Sequence, residues 1–399
     1  MKVKPIEGGT VTSPRGFLAG ATCAGLKASG GLDVGILYSE APCAAAALFT
    51  GNRVKAAPVV CSAERVADGK AQGVVANSGC ANACTGDQGL EDAATMSSLA
   101  AHKLGVVPED VLVASTGVIG ERLPVERVAR GIEELVLSRH GGHELARAIM
   151  TTDRSPKEVA VAVEGSGFTV GGIAKGSGMI HPMLGTLLCF LTTDAAIAPD
   201  FLEEALTEAV DVSFNMVTVD GDTSPNDTVI VLANGLAGDR PLEQGTGGAQ
   251  AFQRALTEVC TYLARRVAAD AEGASKLIEV TVEGARTMGD ARAAARTIAG
   301  SSLLKAAVHG CDPNWGRVIA ALGRSGAEVD GSKVDLFLNN TCLMRDGAPC
   351  SFDRERARVA MGEPEVPIRV CLNLGKGDAV AWGCDLTAEY VAINSEYTT

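Results

Sequence analysis

The stretch Ala174-Lys-Gly-Ser-Gly-Met-Ile-His-Pro-Met-Leu-Gly-Thr-Leu-Leu-Cys-Phe-Leu191 decides the reading of this chain. A Gly-rich approach leads to a hydroxyl residue, Thr186, and then to an apolar run with the character of a strand. Such an order suits a threonine that cuts the peptide bond in front of it. Gly185 has no Cβ, so the bond before Thr186 can be held in a distorted geometry while Oγ attacks its carbonyl. Cleavage would free the α-amino group of Thr186. That amine has an ordinary pKa near 8 and can take the Oγ proton without help from a His or Asp. An ordinary loop-to-strand entry, with Lys175 as a surface charge, fits the same residues, and one short motif does not separate the two.

Outward from this stretch the pattern is mixed. Phe252, Ala255, Leu256, Val259, Leu263 and Val267 recur at helical spacing within Gly248 to Asp270. Leu123 to Ser138 repeats that spacing behind Pro124, and Asp200 with Glu203 reads as a capping box for a helix over Phe201 to Ala209. Short β-rich runs lie between, at Val111–Ala114, Val159–Val163, Phe168–Ile173, Thr228–Leu232, Leu277–Val282, Val334–Leu338 and Ile368–Leu372. The Gly-Lys-Gly turn after Leu374 predicts a hairpin joining Ile368–Leu372 to Ala379–Trp382. Helical and strand patterns thus predict an α+β class. With only 4% aromatic residues and 47 glycines, the core is expected to be closely packed from small and branched side chains.

Charge narrows the function. A net charge of −13 repels nucleic-acid and membrane phosphates, so neither partner is expected. No apolar run is long enough to cross a bilayer and the start lacks a signal core, which predicts a cytoplasmic protein. The twelve cysteines contain no CxxC pair and read as thiols. Cys80 and Cys84, four apart, would share one face of a helix, but no second ligand pair follows, so no metal is expected.

Three further segments carry chemistry-bearing residues. The Thr116-Gly117 turn after the strand Val111–Ala114 would present a hydroxyl and an uncovered backbone N–H, a pair able to cradle an oxyanion; a plain turn reads equally well. Asp220-Gly-Asp-Thr-Ser-Pro-Asn-Asp-Thr228 lacks the Gly and Glu of a calcium loop and reads as a turn bonded by its own side chains. His309 to Arg317, with Asp312, Asn314, Trp315 and Arg317, reads either as a brace for a site or an interface or, more simply, as a structural hydrogen-bonded turn.

Six motifs in order, Asn77-Ser-Gly-Cys-Ala-Asn-Ala-Cys-Thr-Gly86, Ser115 to Gly120, Met150-Thr-Thr-Asp153, Lys175 to Thr186, Asp312 to Arg317 and Asn394 to Thr399, resemble the glutamate N-acetyltransferase or ornithine acetyltransferase family of arginine biosynthesis. The resemblance runs nearly end to end. It implies a self-cleaving N-terminal-nucleophile enzyme with a layered αββα sandwich whose connectivity differs from that of the usual N-terminal-nucleophile hydrolases. It further implies an α chain of residues 1–185 and a β chain of residues 186–399 sharing one interlocked core, assembled as an α2β2 heterotetramer. The implied reaction moves acetyl from N2-acetyl-L-ornithine to L-glutamate through an acetyl-Thr186 ester, with no cofactor; some members also take acetyl-CoA as donor. Thr186 is then the nucleophile, Gly185-Thr186 the cleavage site and Thr116 with Gly117 the oxyanion pair. Thr152, Lys175, Thr186, Glu272, Asn394 and Thr399 fall on substrate-binding positions. Met183, Leu184, Gly185, Cys80 and Pro225 depart from the family's usual residues. The alternative chemistry for the same nucleophile is hydrolysis, as in an aminopeptidase.

Cleavage and turnover need one oxygen, so Thr186→Ala is expected to leave a single full-length band on a denaturing gel and no acetyl transfer. A variant still cut at that bond would exclude Thr186 as the nucleophile.

Overall fold

The computed structural model describes residues 1–181, 187–238 and 240–396. Thr186, Gly185 and Thr399, three of the residues singled out above, lie outside the described residues. Among those described, two sheets carry the chain. The first is built from β1 (Val3–Pro5), β2 (Phe17–Thr22), β3 (Val34–Phe49), β4 (Lys70–Asn77), β5 (Val111–Ser115), β6 (Lys157–Val163), β7 (Thr169–Lys175), β8 (Leu188–Thr193) and β9 (Thr228–Ala233). Its order is β1-β6-β7-β8-β9-β3-β4-β5, with β2 also on β3. The second sheet holds β10 (Leu277–Ala285), β11 (Asp335–Leu338), β12 (Thr341–Arg345), β13 (Ala348–Pro349), β14 (Glu365–Cys371) and β15 (Gly377–Cys384), in the order β13-β12-β11-β14-β10-β15.

All six residues of β8 are buried, as are all six of β9. That is the pattern of a strand covered on both faces. Leu188 and Phe190 join Ile173, Ile230 and Leu232 in a core under the helix Gly142–Ala148, while Cys189 and Leu191 join Val229 and Val231 in the larger core on the other face. That larger core takes in the stripe Phe252, Ala255, Leu256, Val259 and Leu263 of the helix Gly247–Ala269. The helix packs on β6 and β7 on one side and on β15 on the other, tying the two sheets into the layered α+β arrangement. No described helix is long and apolar enough to cross a membrane.

The register positions the site. Lys175 at the end of β7 is opposite Leu188, Leu188 is opposite Thr228, and Thr228 is opposite Phe49 at the end of β3. Four strands thus present one edge at the residues that flank Thr186 in sequence.

Three local expectations are corrected. The helix expected from Phe201 begins at Pro199, because Pro fits the first helical turn, and Asp200 lies inside it with no side-chain cap. The hairpin between the last two strands does not form: β10 lies between them, parallel to β14 and antiparallel to β15. Cys80 and Cys84 sit in a loop. Cys80 bridges Thr116 and Val118, and Cys84 has a positive φ of 59°.

Candidate active site

Beyond β7 the chain runs Gly176-Ser177-Gly178-Met179, and five of the expected site residues meet around this segment and the Lys175 that precedes it. Lys175 is fully buried, and its Nζ has one hydrogen-bond acceptor among the described residues, Thr116 Oγ1 at 3.4 Å. Thr152 Oγ1 and Ser177 Oγ share a hydrogen bond of 2.6 Å. The Glu272 backbone N–H donates to the Ser177 carbonyl at 2.9 Å, and Asn394 Nδ2 donates to Glu272 Oε2 at 2.9 Å. Gly178 permits this approach: a Cβ there would stand 2.5 Å from Glu272 Oε2.

The Thr116-Gly117 turn has the form that oxyanion binding requires. The Thr116 N–H is used by the Asn77 carbonyl at 3.0 Å, which leaves the side-chain hydroxyl. Among the described residues the Gly117 N–H has no partner. Gly117 has a φ of 130°, and a Cβ would lie 2.4 Å from the Gly79 carbonyl carbon, so no other residue fits. Buried Asn77 fixes the turn from below by accepting from Ser115 Oγ at 2.6 Å and donating to the Cys80 carbonyl at 2.9 Å.

Charge under this surface is balanced by groups that sequence reasoning did not assign. Lys157, also fully buried, donates to Asp153 Oδ1 at 2.6 Å and Asp270 Oδ2 at 2.7 Å. Asp153 Oδ1 accepts the Gly176 N–H at 2.7 Å as well, so one carboxylate holds both the lysine and the start of the site segment. Burial pushes Asp153 up, but the Lys157 and Lys175 ammonium groups and the hydrogen bonds from Lys157 and Gly176 outweigh it and hold its pKa at about 2. Burial pushes Lys175 down, Asp153 raises it, Lys157 lowers it, and Asp227 and Glu272 raise it. The result is a desolvated ammonium with one acceptor among the described residues, an arrangement able to receive a carboxylate.

The Asp220–Thr228 loop does more than bond to itself. Asp220 accepts the N–H groups of Met179 at 2.6 Å and Ile180 at 2.9 Å. Asp227, fully buried, accepts the Leu187 N–H through Oδ1 at 3.0 Å, while Oδ2 has no partner among the described residues. Burial pushes its carboxyl well above the usual range despite the Leu187 N–H, the Thr50 hydroxyl and Lys175. Asn226 Nδ2 donates to the carbonyls of Ala81 at 2.6 Å and Ser115 at 2.9 Å. One dipeptide therefore grips both the approach to the Thr116-Gly117 turn and the residue after Thr186. The signal was present in the sequence as two adjacent polar residues entering an apolar strand.

The His309–Arg317 segment stands apart as a braced turn, with His309 Nδ1 on Asp385 Oδ2 at 3.0 Å and Arg354 on Asp312 at 3.3 Å. Among the described residues no group of three His, Cys, Asp or Glu side chains is placed to hold a metal.

In comparisons with known proteins, the family whose pattern matches this chain is the ArgJ family, over residues 18–399. The chain is 54% identical over 397 residues to the arginine biosynthesis bifunctional protein ArgJ of Symbiobacterium thermophilum, covering 98% of this chain and 99% of the relative. It is 51% identical over 395 residues to the protein of the same name from Dehalococcoides mccartyi, covering 98% of each. A crystal structure of arginine biosynthesis bifunctional protein argJ from Bacillus halodurans is similar at 43% identity and a TM-score of 0.51, over 52% of this chain and 97% of the solved one.

Asp153→Asn leaves two buried ammonium groups undercompensated and is expected to cost about 3–5 kcal/mol of stability at pH 7, read from denaturant unfolding. In the wild type the folded carboxyl titrates at about 2 against an ordinary 3.8. Its contribution is complete above that ordinary value and fades as the pH falls toward 2. Equal unfolding midpoints for the two proteins at pH 7 would contradict this assignment.

Proposed function

Since this chain belongs to the ArgJ family of arginine biosynthesis, we propose that it transfers acetyl from N2-acetyl-L-ornithine to L-glutamate on a self-generated N-terminal threonine. The observation that carries the proposal is the shared strand edge. Lys175 lies opposite Leu188, two residues after Thr186, and its ammonium reaches the Thr116 hydroxyl, which is followed by a Gly117 N–H with no partner among the described residues.

In maturation, Thr186 Oγ attacks the Gly185 carbonyl carbon, the Gly185–Thr186 amide becomes an ester as the Thr186 amine is released, and water opens the ester to a Gly185 carboxylate and a free Thr186 hydroxyl. The products are the α chain 1–185 and the β chain 186–399, which remain in one core and pair as α2β2. That 97% of the solved Bacillus halodurans chain is matched by 52% of this one supports a protein handled as two pieces. In turnover, the Thr186 amine takes the Oγ proton as Oγ attacks the acetyl carbonyl. Thr116 Oγ and the Gly117 N–H hold the oxyanion, and ornithine leaves with the proton on its amine. Glutamate's amine then attacks the acetyl ester, producing N-acetylglutamate and restoring the hydroxyl. Lys175 and Thr152 bind the α-carboxylate common to both amino acids. Glu272 meets the ornithine ammonium, with Asn394 reaching it from the C-terminal helix Ala388–Glu396, and Thr399 is assigned to substrate binding with it.

Acetyl-CoA serves the same hydroxyl as a second donor, by the amino-acid N-acetyltransferase reaction. No cofactor enters either half-reaction. Twelve free thiols agree with a reducing, cytoplasmic setting.

N-acetylornithine labelled in its acetyl group tests the reading. Label is expected in N-acetylglutamate when glutamate is present, and on the 186–399 chain when it is withheld. Label released only as acetate would favour the hydrolase instead.

A further inference from the structure

Outside the carboxylate-binding site lies a cavity of about 600 Å3 whose polar lining includes Asn52, His181, Thr223, Arg296, Thr297 and Arg324. Its volume is that of a small-molecule pocket. Two guanidinium groups face it, and among the described residues neither makes a hydrogen bond or an ion pair. Arg296 is half-buried on the helix Met288–Ala299, one turn from Arg292, which takes Asp211 for itself at 3.3 Å. On a chain of net charge −13, two unpaired arginines at one cavity are a local reversal of sign. Guanidinium forks match phosphate oxygens in pairs, and the Thr223 and Thr297 hydroxyls and the Asn52 amide add neutral donors.

The lining is also tied to the strand edge through Asn52 in structure and to Thr186 through His181 in sequence. Asn52 donates to the Thr223 carbonyl at 2.8 Å, three residues beyond Phe49, which shares the edge row with Thr228 and Leu188. Two strand spacings put Leu188 about 10 Å from Phe49. His181, held at 3.3 Å from Thr218 Oγ1, precedes Thr186 by five residues in the sequence.

We propose that this cavity is the subsite for the phosphates of an acyl-CoA donor, with Arg296 and Arg324 as their ligands and the pantetheine arm running along the strand edge toward Leu188, two residues after the nucleophile in sequence. The inference rests on the acetyl-transfer reading above and assigns its second donor a place distinct from the Lys175 carboxylate site. In this half-reaction the acetyl–sulfur bond breaks and the acetyl–Oγ bond forms. The Oγ proton passes to the Thr186 amine and then to the departing thiolate.

The probe is adenosine 3′,5′-bisphosphate, the phosphate-bearing end of CoA, titrated calorimetrically into the mature protein beside inorganic phosphate. The bisphosphate is expected to bind more tightly than phosphate and to compete with acetyl-CoA but not with N-acetylornithine. The R296Q/R324Q double variant is expected to weaken its binding by about tenfold or more and to raise KM for acetyl-CoA similarly, a change of about 1.4 kcal/mol per factor of ten. Turnover of N-acetylornithine should stay within about twofold, which also reports that the variant is folded. Equal bisphosphate binding in wild type and variant would overturn the proposal. So would wild-type binding no tighter than that of inorganic phosphate. A wild type that binds the bisphosphate yet does not turn over N-acetylornithine would sink the acetyl-transfer reading while supporting the subsite.

Discussion

A single buried carboxyl, that of Asp227, fixes the start of the strand on which the proposed chemistry depends. It takes the N–H of Leu187, the residue after Thr186, from a place with no exposure to solvent. Its neighbour Asn226 holds the Ser115 and Ala81 carbonyls behind the Thr116-Gly117 turn. The two strands that must be brought together, β5 with its turn and β8 with its start, are thus tied through two adjacent side chains of a third element. A buried amide costs several kcal/mol if unpaired, so each of these bonds is enforced by the core around it.

The cores supply that enforcement. Because β8 and β9 are buried on both faces, their edge row of Lys175, Leu188, Thr228 and Phe49 cannot slip by one residue without turning apolar side chains out of two cores at once. The ammonium of Lys175 is kept inside by the acid below it, since Asp153 serves Lys157 and Gly176 while its charge faces Lys175. The site is therefore a set of desolvated donors prepared before any substrate arrives, which is the arrangement that makes electrostatic stabilisation strong.

Much of this was legible in the sequence, and for a local reason in each case. The helix Gly247–Ala269 followed from its apolar stripe, and the turn at Thr116-Gly117 from the Gly that follows the strand Val111–Ser115. What was not legible depends on partners far along the chain. The hairpin between the last two strands failed because β10, from the middle of the chain, inserts between them, and a turn motif carries no information about a third strand. The Asp220–Thr228 loop resembled a self-bonded turn because its composition is that of one; its carboxylates instead cap N–H groups about forty residues earlier. Lys157 carried no sign of its burial, since only the meeting with Asp153 and Asp270 makes that burial tolerable.

The central claim is that a threonine made inside one polypeptide becomes the amino terminus that performs the transfer. N-terminal sequencing of fully active, purified protein tests it most directly. Two sequences are expected in equal amount, one from the start of the chain and one reading Thr-Leu-Leu-Cys-Phe; active protein that yields the first alone would contradict the account.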